Sequence, residues 1–218
     1  MSEFGWSSTT DEVLAGHDLS GRTVFVTGAN SGLGQETARA MAARGAEVIM
    51  AGRDQGKLDE AVAAIHAEHP KAQLETITLD LTSLENIRAA TSRARQRFQK
   101  IDILINNAGV MATPFLHTAD GFEMQIGTNH LGHFALTGEL FPLIEAGEAK
   151  RIVNLSSRGH HMGPVHFDDP NFVHRPYDPW SSYGQSKTAN VLFSVGIEAR
   201  YAVMGIHAYA VHPGGIET

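Results

Sequence analysis

The sequence predicts an α/β protein: a doubly wound parallel sheet in three α/β/α layers, built as a single domain. Short runs rich in β-branched residues alternate with Ala-rich, helix-like segments along almost the whole chain. The runs lack the polar alternation of a half-exposed sheet, so they read as strands buried on both faces. The stretches between them are helix-sized, as parallel crossovers require. With 218 residues, 42% hydrophobic and 19% charged, the chain can enclose one substantial core, and no linker, repeat or low-complexity tract divides it.

Taken in order, residues 1–18 form an N-terminal extension with a short helix, at which Thr9 and Glu12 have capping-box spacing. Residues 19–218 form the domain proper. Strands are expected at 23–28 (TVFVTG), 47–52 (EVIMAG), 74–80 (LETITLD), 102–109 (DILINNAG), 151–157 (RIVNLSS) and 206–213 (IHAYAVHP). Between them, a helix over 32–44 is closed by Gly45 and one over 54–68 ends before Pro70. Further helices are expected over 83–98, over 119–146 with a break, and over 181–203.

Composition narrows the function. Lys and Arg number 17 against 24 Asp and Glu, a net charge of −7, and no basic run tracks a phosphate backbone, so no nucleic acid partner is expected. The absence of cysteine excludes disulfides, thiolate ligands and a cysteine nucleophile, and fits a reducing compartment. With neither a signal-peptide pattern nor a membrane-span-length apolar run, the expectation is a soluble, cytoplasmic chain. His160, His161, His166 and His174 lack a carboxylate partner and helical His-x-x-x-His spacing, so they read as a solvated loop, and no metal is expected. Asn154-Leu155-Ser156 is a glycosylation sequon only in form, because it lies on a strand expected to be buried.

In a doubly wound sheet, ligands bind at the carboxyl ends of the strands. The first strand runs into Thr27-Gly28-Ala29-Asn30-Ser31-Gly32-Leu33-Gly34, a Gly-x-x-x-Gly-x-Gly spacing between a strand and a helix. Gly28 permits a tight turn, Gly32 lets backbone N–H groups approach a pyrophosphate, and Gly34 lets the helix pack against the sheet. The spacing is not Gly-x-Gly-x-x-Gly and could be only a turn, but the strand before it and the helix after it favour a dinucleotide loop, in which Asn30, Ser31 and Leu33 are candidate contacts. The second strand runs into Gly52-Arg53-Asp54. An acidic residue there would bind the ribose 2′-hydroxyl of NAD, whereas an arginine accommodates the 2′-phosphate of NADP. Gly52 omits the carboxylate and Arg53 offers a guanidinium fork, so NADP(H) is expected over NAD(H). The competing reading makes Arg53 a solvated loop cation, and Asp54 is either a helix N-cap or an ion-pair partner drawing Arg53 away.

With that loop, Asn106-Asn107-Ala108-Gly109 and Tyr183-Gly184-Gln185-Ser186-Lys187, the chain from Leu19 to Thr218 resembles the short-chain dehydrogenase/reductase family. Asn129-His130-Leu131-Gly132-His133-Phe134 and Ile152-Val153-Asn154-Leu155-Ser156-Ser157 resemble most the branch of retinol dehydrogenases and WW-domain-containing oxidoreductases. The resemblance implies a Rossmann-like fold, with residues 19–218 a dinucleotide-binding catalytic domain. It also implies NADP(H)-dependent hydride transfer with a hydrophobic alcohol, ketone or aldehyde. By the same resemblance Asp80 and Leu81 meet the adenine, Asn107, Ala108 and Gly109 run along the cofactor, and Pro213, Gly214 and Ile216 lie beside the nicotinamide. Ser157 matches the residue that hydrogen-bonds the substrate oxygen, in preference to Ser156, and Asn129 the one that holds a proton-relay water. Lys187 also matches the family's ribose clamp.

The Tyr183–Lys187 spacing carries its own chemistry. Residues four apart on a helix share a face, with Cβ atoms roughly 6 Å apart. A free phenol titrates about three units above neutrality, and a nearby cation narrows that gap, so Tyr183 can serve as general acid or base with Lys187 beside it.

Three expectations complete the reading. The Pro-, His- and aromatic-rich loop from Arg158 to Trp180 leaves the fifth strand after Ser157 and returns before Tyr183. It reads as a substrate-pocket wall, with an Ω-like loop packed on itself as the alternative. The helix carrying Tyr183 is apolar on more than one face, which suggests either a homodimer or one wide stripe turned to the core. Family members continue past a sixth strand, so the C-terminal part reads as truncated, and a non-catalytic NADP(H)-binding or sensor protein is the alternative function.

Overall fold

The computed structural model describes residues 4, 5 and 7–215. Six strands form one parallel sheet in the order β3-β2-β1-β4-β5-β6: β1 (Thr23–Thr27), β2 (Glu47–Gly52), β3 (Gln73–Thr78), β4 (Ile103–Asn106), β5 (Arg151–Leu155) and β6 (His207–Val211). All six expected strands form; β2 keeps its expected bounds, β3 starts one residue early and ends two early, and the other four are trimmed at one or both ends. The run expected over 102–109 stops at Asn106, because the Asn107 N–H and Ala108 N–H turn away from the ladder to the Thr27 hydroxyl. Burial on both faces holds for β1, every residue of which is buried, and fails at the edges. Strand β3 is half-exposed and β6 is exposed from Tyr209 onward, since an edge strand has a neighbour on one side only.

Alternate residues of each strand feed two cores. Val24, Val26, Val48 and Met50 pack with Ala38 and Ala42 of α2 (Gly32–Ala43) and with Leu58 and Ile65 of α3 (Gln55–Glu68). Phe25, Ile49, Leu104 and Ile152 face the other way. They meet Ile87 of α4 (Leu84–Arg97), Leu136 and Leu140 of α6 (Gly132–Ala146), and Ile197 of α7 (Pro179–Tyr201). The period-two alternation of strands thus builds a three-layer domain.

Local chemistry sets the helix ends. Asp54 caps α3 through the Lys57 N–H at 3.1 Å, Ser83 caps α4 through Asn86, and Asp178 caps α7 ahead of Pro179. Asp54 is therefore the N-cap. Thr9 and Glu12 form the reciprocal capping box on α1 (Thr10–Val13), which docks on α2 through Asp11 and Arg39 at 3.1 Å.

The helix expected over 119–146 differs. Residues 118–122 make a tight turn closed by the Thr118 N–H to the Phe122 carbonyl at 2.8 Å, and helix begins only at α5 (Met124–Ile126). The expected break is a π-turn (Gly127–Leu131) joining α5 to α6. Its flanking glycines explain it: a Cβ on Gly127 would lie 2.4 Å from Thr118 Cγ2, and one on Gly132 would lie 2.5 Å from the Leu81 carbonyl. The turn is wedged against two loops, and one of its residues is Asn129.

Among the described residues no helix is long and apolar enough to cross a membrane. At the amino ends of the strands, buried Asp102 accepts N–H bonds from Thr23, Glu148 and Ala149 at 2.9, 2.7 and 3.1 Å, with Arg22 and Lys100 beside it. Burial alone would raise its pKa, but the backbone donors and Lys100 outweigh it and hold the carboxyl below the usual range. Asp102→Ala strands three N–H donors, so urea denaturation is expected to show a loss of about 3 kcal/mol.

Candidate active site

The chain reverses its direction along the sheet between β1 and β4, and at their carboxyl ends a cleft of about 390 Å³ opens. Gly28, Asn30, Ser31, Gly32, Leu33 and Gly34 line it from the first loop. Arg53, Asp80 and Leu81 line it from the β2 and β3 ends, and Asn107, Ala108 and Gly109 from the β4 end. Thr27, Val110, Met124 and Thr128 also line it and were not among the expected site residues. Thr27 opens the glycine motif and Val110 directly follows Asn106 to Gly109, so both could have been included. Met124 and Thr128 arrive on the α5 and π-turn segment, which no local pattern ties to the cleft.

The glycine loop does what its spacing predicts. Gly28 has φ +65° and Gly32 φ +52°, conformations that favour glycine. A Cβ on Gly34 would sit 2.2 Å from the Gly28 carbonyl oxygen and 2.6 Å from Asn107 Nδ2, so only glycine lets α2 start this close to the sheet. Ser31 occupies the N-cap of α2 without spending its hydroxyl on the cap, which leaves that hydroxyl and the helix-start N–H groups to the cleft. Arg53 is exposed and makes no ion pair or hydrogen bond among the described residues. The cradle of N–H groups, the omitted side chains and this uncommitted guanidinium fit a phosphorylated dinucleotide.

The other candidates gather at the inner wall. An added Cβ on Gly109 would lie 3.1 Å from Asn129 Oδ1 and 3.6 Å from Lys187 Nζ, so both groups reach the cleft lining there. Lys187 Nζ donates to the Leu155 carbonyl at 3.0 Å and stands 5.6 Å from the centre of the Tyr183 ring. Burial pulls the Lys187 pKa down to about 8. The Tyr183 phenol has no hydrogen-bond partner among the described residues.

The two serines divide. Ser156 is buried and donates to the Lys187 carbonyl at 3.0 Å, a structural bond. Ser157 Oγ accepts from the Gly159 N–H at 3.0 Å, which leaves its own proton free. Asn129 is fully engaged as a donor, to the Val110 carbonyl and to Ser186 Oγ, both at 2.9 Å. Pro213 and Gly214 follow β6, two strands from β4, and do not line the cleft. Ile216 lies outside the described residues.

The sequence profile of the short chain dehydrogenases matches residues 22–169. The chain belongs to that family. Within it the kinship is with the retinol dehydrogenases: retinol dehydrogenase 13 of Homo sapiens is 44% identical over 200 residues, which cover 92% of this chain and 60% of that protein. The chain thus spans about 60% of the length of that curated relative. A crystal structure of an uncharacterized Mycobacterium paratuberculosis protein superposes with TM-score 0.80 at 45% identity, over 92% of this chain and 71% of that one. A chain from Shigella flexneri, assigned to the short-chain dehydrogenases and complexed with NADP, gives TM-score 0.72 at 26% identity, over 90% and 78%.

In this member of the family the loop from Arg158 to Trp180 is held from two sides. Near its start, a Cβ on Gly159 would lie 2.7 Å from Tyr183 Cε1, so the loop backs directly on the tyrosine ring. Further on, buried Gln185 accepts from the His166 N–H and from Arg175, and donates to the Pro170 carbonyl. Gln185 lies roughly 200° round α7 from Tyr183, so this middle stretch is carried to the far side of the helix. There Val165, Phe167 and Pro170 line an apolar groove with α6 and α7 instead of the cleft. The loop also packs on itself: Arg175 stacks 3.5 Å above the Phe172 ring and Asp169 accepts the Val173 N–H at 2.7 Å. The loop's middle is self-packed, as the Ω-like alternative expects, and its start packs against the Tyr183 ring, while none of its residues lines the cleft.

Burying the Lys187 ammonium has a cost that can be measured. The unfolded chain keeps its proton to about pH 10.5 and the folded one sheds it near 8, so stability rises with pH across that window. Lys187→Met is expected to stabilise the fold at pH 7 by up to roughly 3 kcal/mol and to abolish that rise, as read by chemical denaturation at several pH values.

Proposed function

We propose that this chain is an NADP(H)-dependent oxidoreductase acting on a hydrophobic alcohol, ketone or aldehyde. The observation that carries the reading is a buried lysine whose ammonium lies behind Gly109 of the glycine-lined cleft, one helical turn from a tyrosine whose phenol is unpartnered among the described residues. When bound, the nicotinamide cofactor supplies or accepts the hydride. Tyr183 gives a proton to the carbonyl oxygen in reduction and takes it back in oxidation. The free Ser157 hydroxyl donates to the same oxygen, and Lys187, with donors to spare beyond Leu155, stabilises negative charge on the phenol. Asn129 holds the wall beside them.

Arg53 supports the cofactor preference, because among the described residues no carboxylate pairs with its guanidinium. NADPH is expected to bind at least tenfold tighter than NADH, about 1.4 kcal/mol, which one charge-assisted phosphate contact can supply. Isothermal titration of both cofactors tests this. Equal affinities, or a preference unchanged in Arg53→Ala, would remove it. Tyr183→Phe should cost about 10² to 10⁴ in kcat with NADPH affinity kept. Tight NADPH binding without turnover of any carbonyl in a broad panel would instead support a non-catalytic cofactor-binding protein.

We further propose a homodimer through α6 and α7. An apolar groove of about 820 Å³ runs between them, where Phe134 and Leu192 are 56% and 47% exposed and Phe134 packs on Phe193 at 5.2 Å. Gly138 in its lining, where an added Cβ would meet nothing within 4 Å, leaves room for side chains of a second copy. Light scattering at micromolar concentration is expected to give twice the chain mass, and Leu192→Glu to give the monomer.

A further inference from the structure

His133 sits on α6, is 1% exposed, and touches neither the cleft nor solvent. Its Nε2 lies 2.9 Å from Thr27 Oγ1 and its Nδ1 lies 2.9 Å from the Asn129 carbonyl oxygen. The proton positions follow from counting. The Thr27 hydroxyl accepts the N–H groups of Asn107 and Ala108, each at 2.9 Å, which fills both lone pairs. Its own proton must go outward, either to Nε2 at 2.9 Å or to the Ile105 carbonyl at 3.5 Å, and the shorter contact is the better bond. Nε2 is therefore the acceptor, the ring proton is on Nδ1, and Nδ1–H donates to Asn129. Burial favours the same neutral ring, holding the His133 pKa down to about 4.

These bonds close a ring around the cleft wall. Residues 107–110 are clamped at one end by Thr27. At the other end Asn129 accepts the Val110 N–H at 2.8 Å and donates to the Val110 carbonyl at 2.9 Å. Without His133 the two clamps belong to separate elements, a strand end and a π-turn. With it, one rigid aromatic ring sets the distance between them. Asn129 then reaches Ser186, next to Lys187.

We propose that His133 is a positioning residue that locks the Asn107–Val110 wall and Asn129 against the helix carrying Tyr183 and Lys187. It touches no reacting atom and acts through Asn129 and Thr27. Its effect on turnover rests on the reductase reading above, but its structural content does not.

Two-dimensional ¹⁵N spectra of the imidazole, with amide hydrogen exchange and steady-state kinetics, test it. In the parent, His133 is expected as the neutral Nδ1–H tautomer from pH 8 to below pH 6. His133→Phe should speed exchange at the Ala108 and Val110 amides at least tenfold beyond any change at the sheet core. It should also lower kcat tenfold or more, with KM for the carbonyl within threefold. Thr27→Val should lower kcat alike, and the double variant should lose no more than the worse single one. His133→Asn, which keeps an N–H for the Asn129 carbonyl, should regain protection at Val110 but not at Ala108. An Nε2–H tautomer, an imidazolium at pH 6, unchanged Val110 protection in His133→Phe, or multiplicative losses in the double variant would each overturn the proposal. A parent that reduces no carbonyl would sink the reductase reading, while the tautomer and exchange data would still decide this one.

Discussion

Where β1 and β4 part at their carboxyl ends, Asn107 turns its side-chain amide onto the Thr27 carbonyl at 2.8 Å, while the backbone N–H groups of Asn107 and Ala108 converge on the Thr27 hydroxyl. The start of α2 is drawn into the same junction, with Gly34 against Gly28 and Asn107. Two strand ends and a helix start are thereby held around one cleft. The rest of the site is placed relative to it: the glycine loop on one side, Gly109 and Val110 on the other, and beyond them Asn129 and Lys187. A junction made of buried backbone donors tolerates little change, because each group left unpaired costs free energy comparable to a whole hydrogen bond.

A layer of buried polar side chains continues from there between β4, β5 and the helices α6 and α7. Asn106 donates to Thr137 and Asn154, Asn154 to Ser194, and Asn190 to the Leu155 carbonyl that also receives Lys187. Such a layer adds less stability than apolar packing of the same volume would. Its effect is to fix α7 in one rotation against the sheet, with the Lys187 ammonium behind Gly109 of the cleft wall. Lys187 is the point at which stability and the proposed chemistry oppose each other: an ammonium kept dry is unfavourable for folding, and in the proposed reaction it assists proton transfer by the phenol.

Helix α7 serves different ends around its circumference. Tyr183, Lys187, Asn190 and Ser194 run along the side turned to β5, while Gln185 and Leu192 lie about half a turn away. On that outer side Gln185 ties down the 158–180 loop, and farther along the exposed Leu192 borders the apolar groove. One helix therefore couples the proposed reacting groups, the loop beside them and the surface proposed to meet a second copy.

The amino-acid sequence by itself determined whatever is encoded locally. The six strands follow from β-branched runs, and the parallel order from the helix-sized spacing between them. The glycine loop follows from backbone conformations that few residues besides glycine adopt, and the Tyr183–Lys187 pair from helical periodicity. Only the tertiary structure decided the contacts between residues far apart in the chain. Thr27 and His133 are 106 positions apart, and nothing at either position signals the other. Which serine keeps a free proton depended on whether Ser156 lies under Lys187. Where the long loop goes depended on which side of α7 Gln185 faces. The exposure of β3 and β6 depended on their place at the sheet edges, and the π-turn at Asn129 on how closely Gly127 and Gly132 meet Thr118 and Leu81. In each case the deciding quantity is a distance between separate elements, which exists only once the chain has closed on itself.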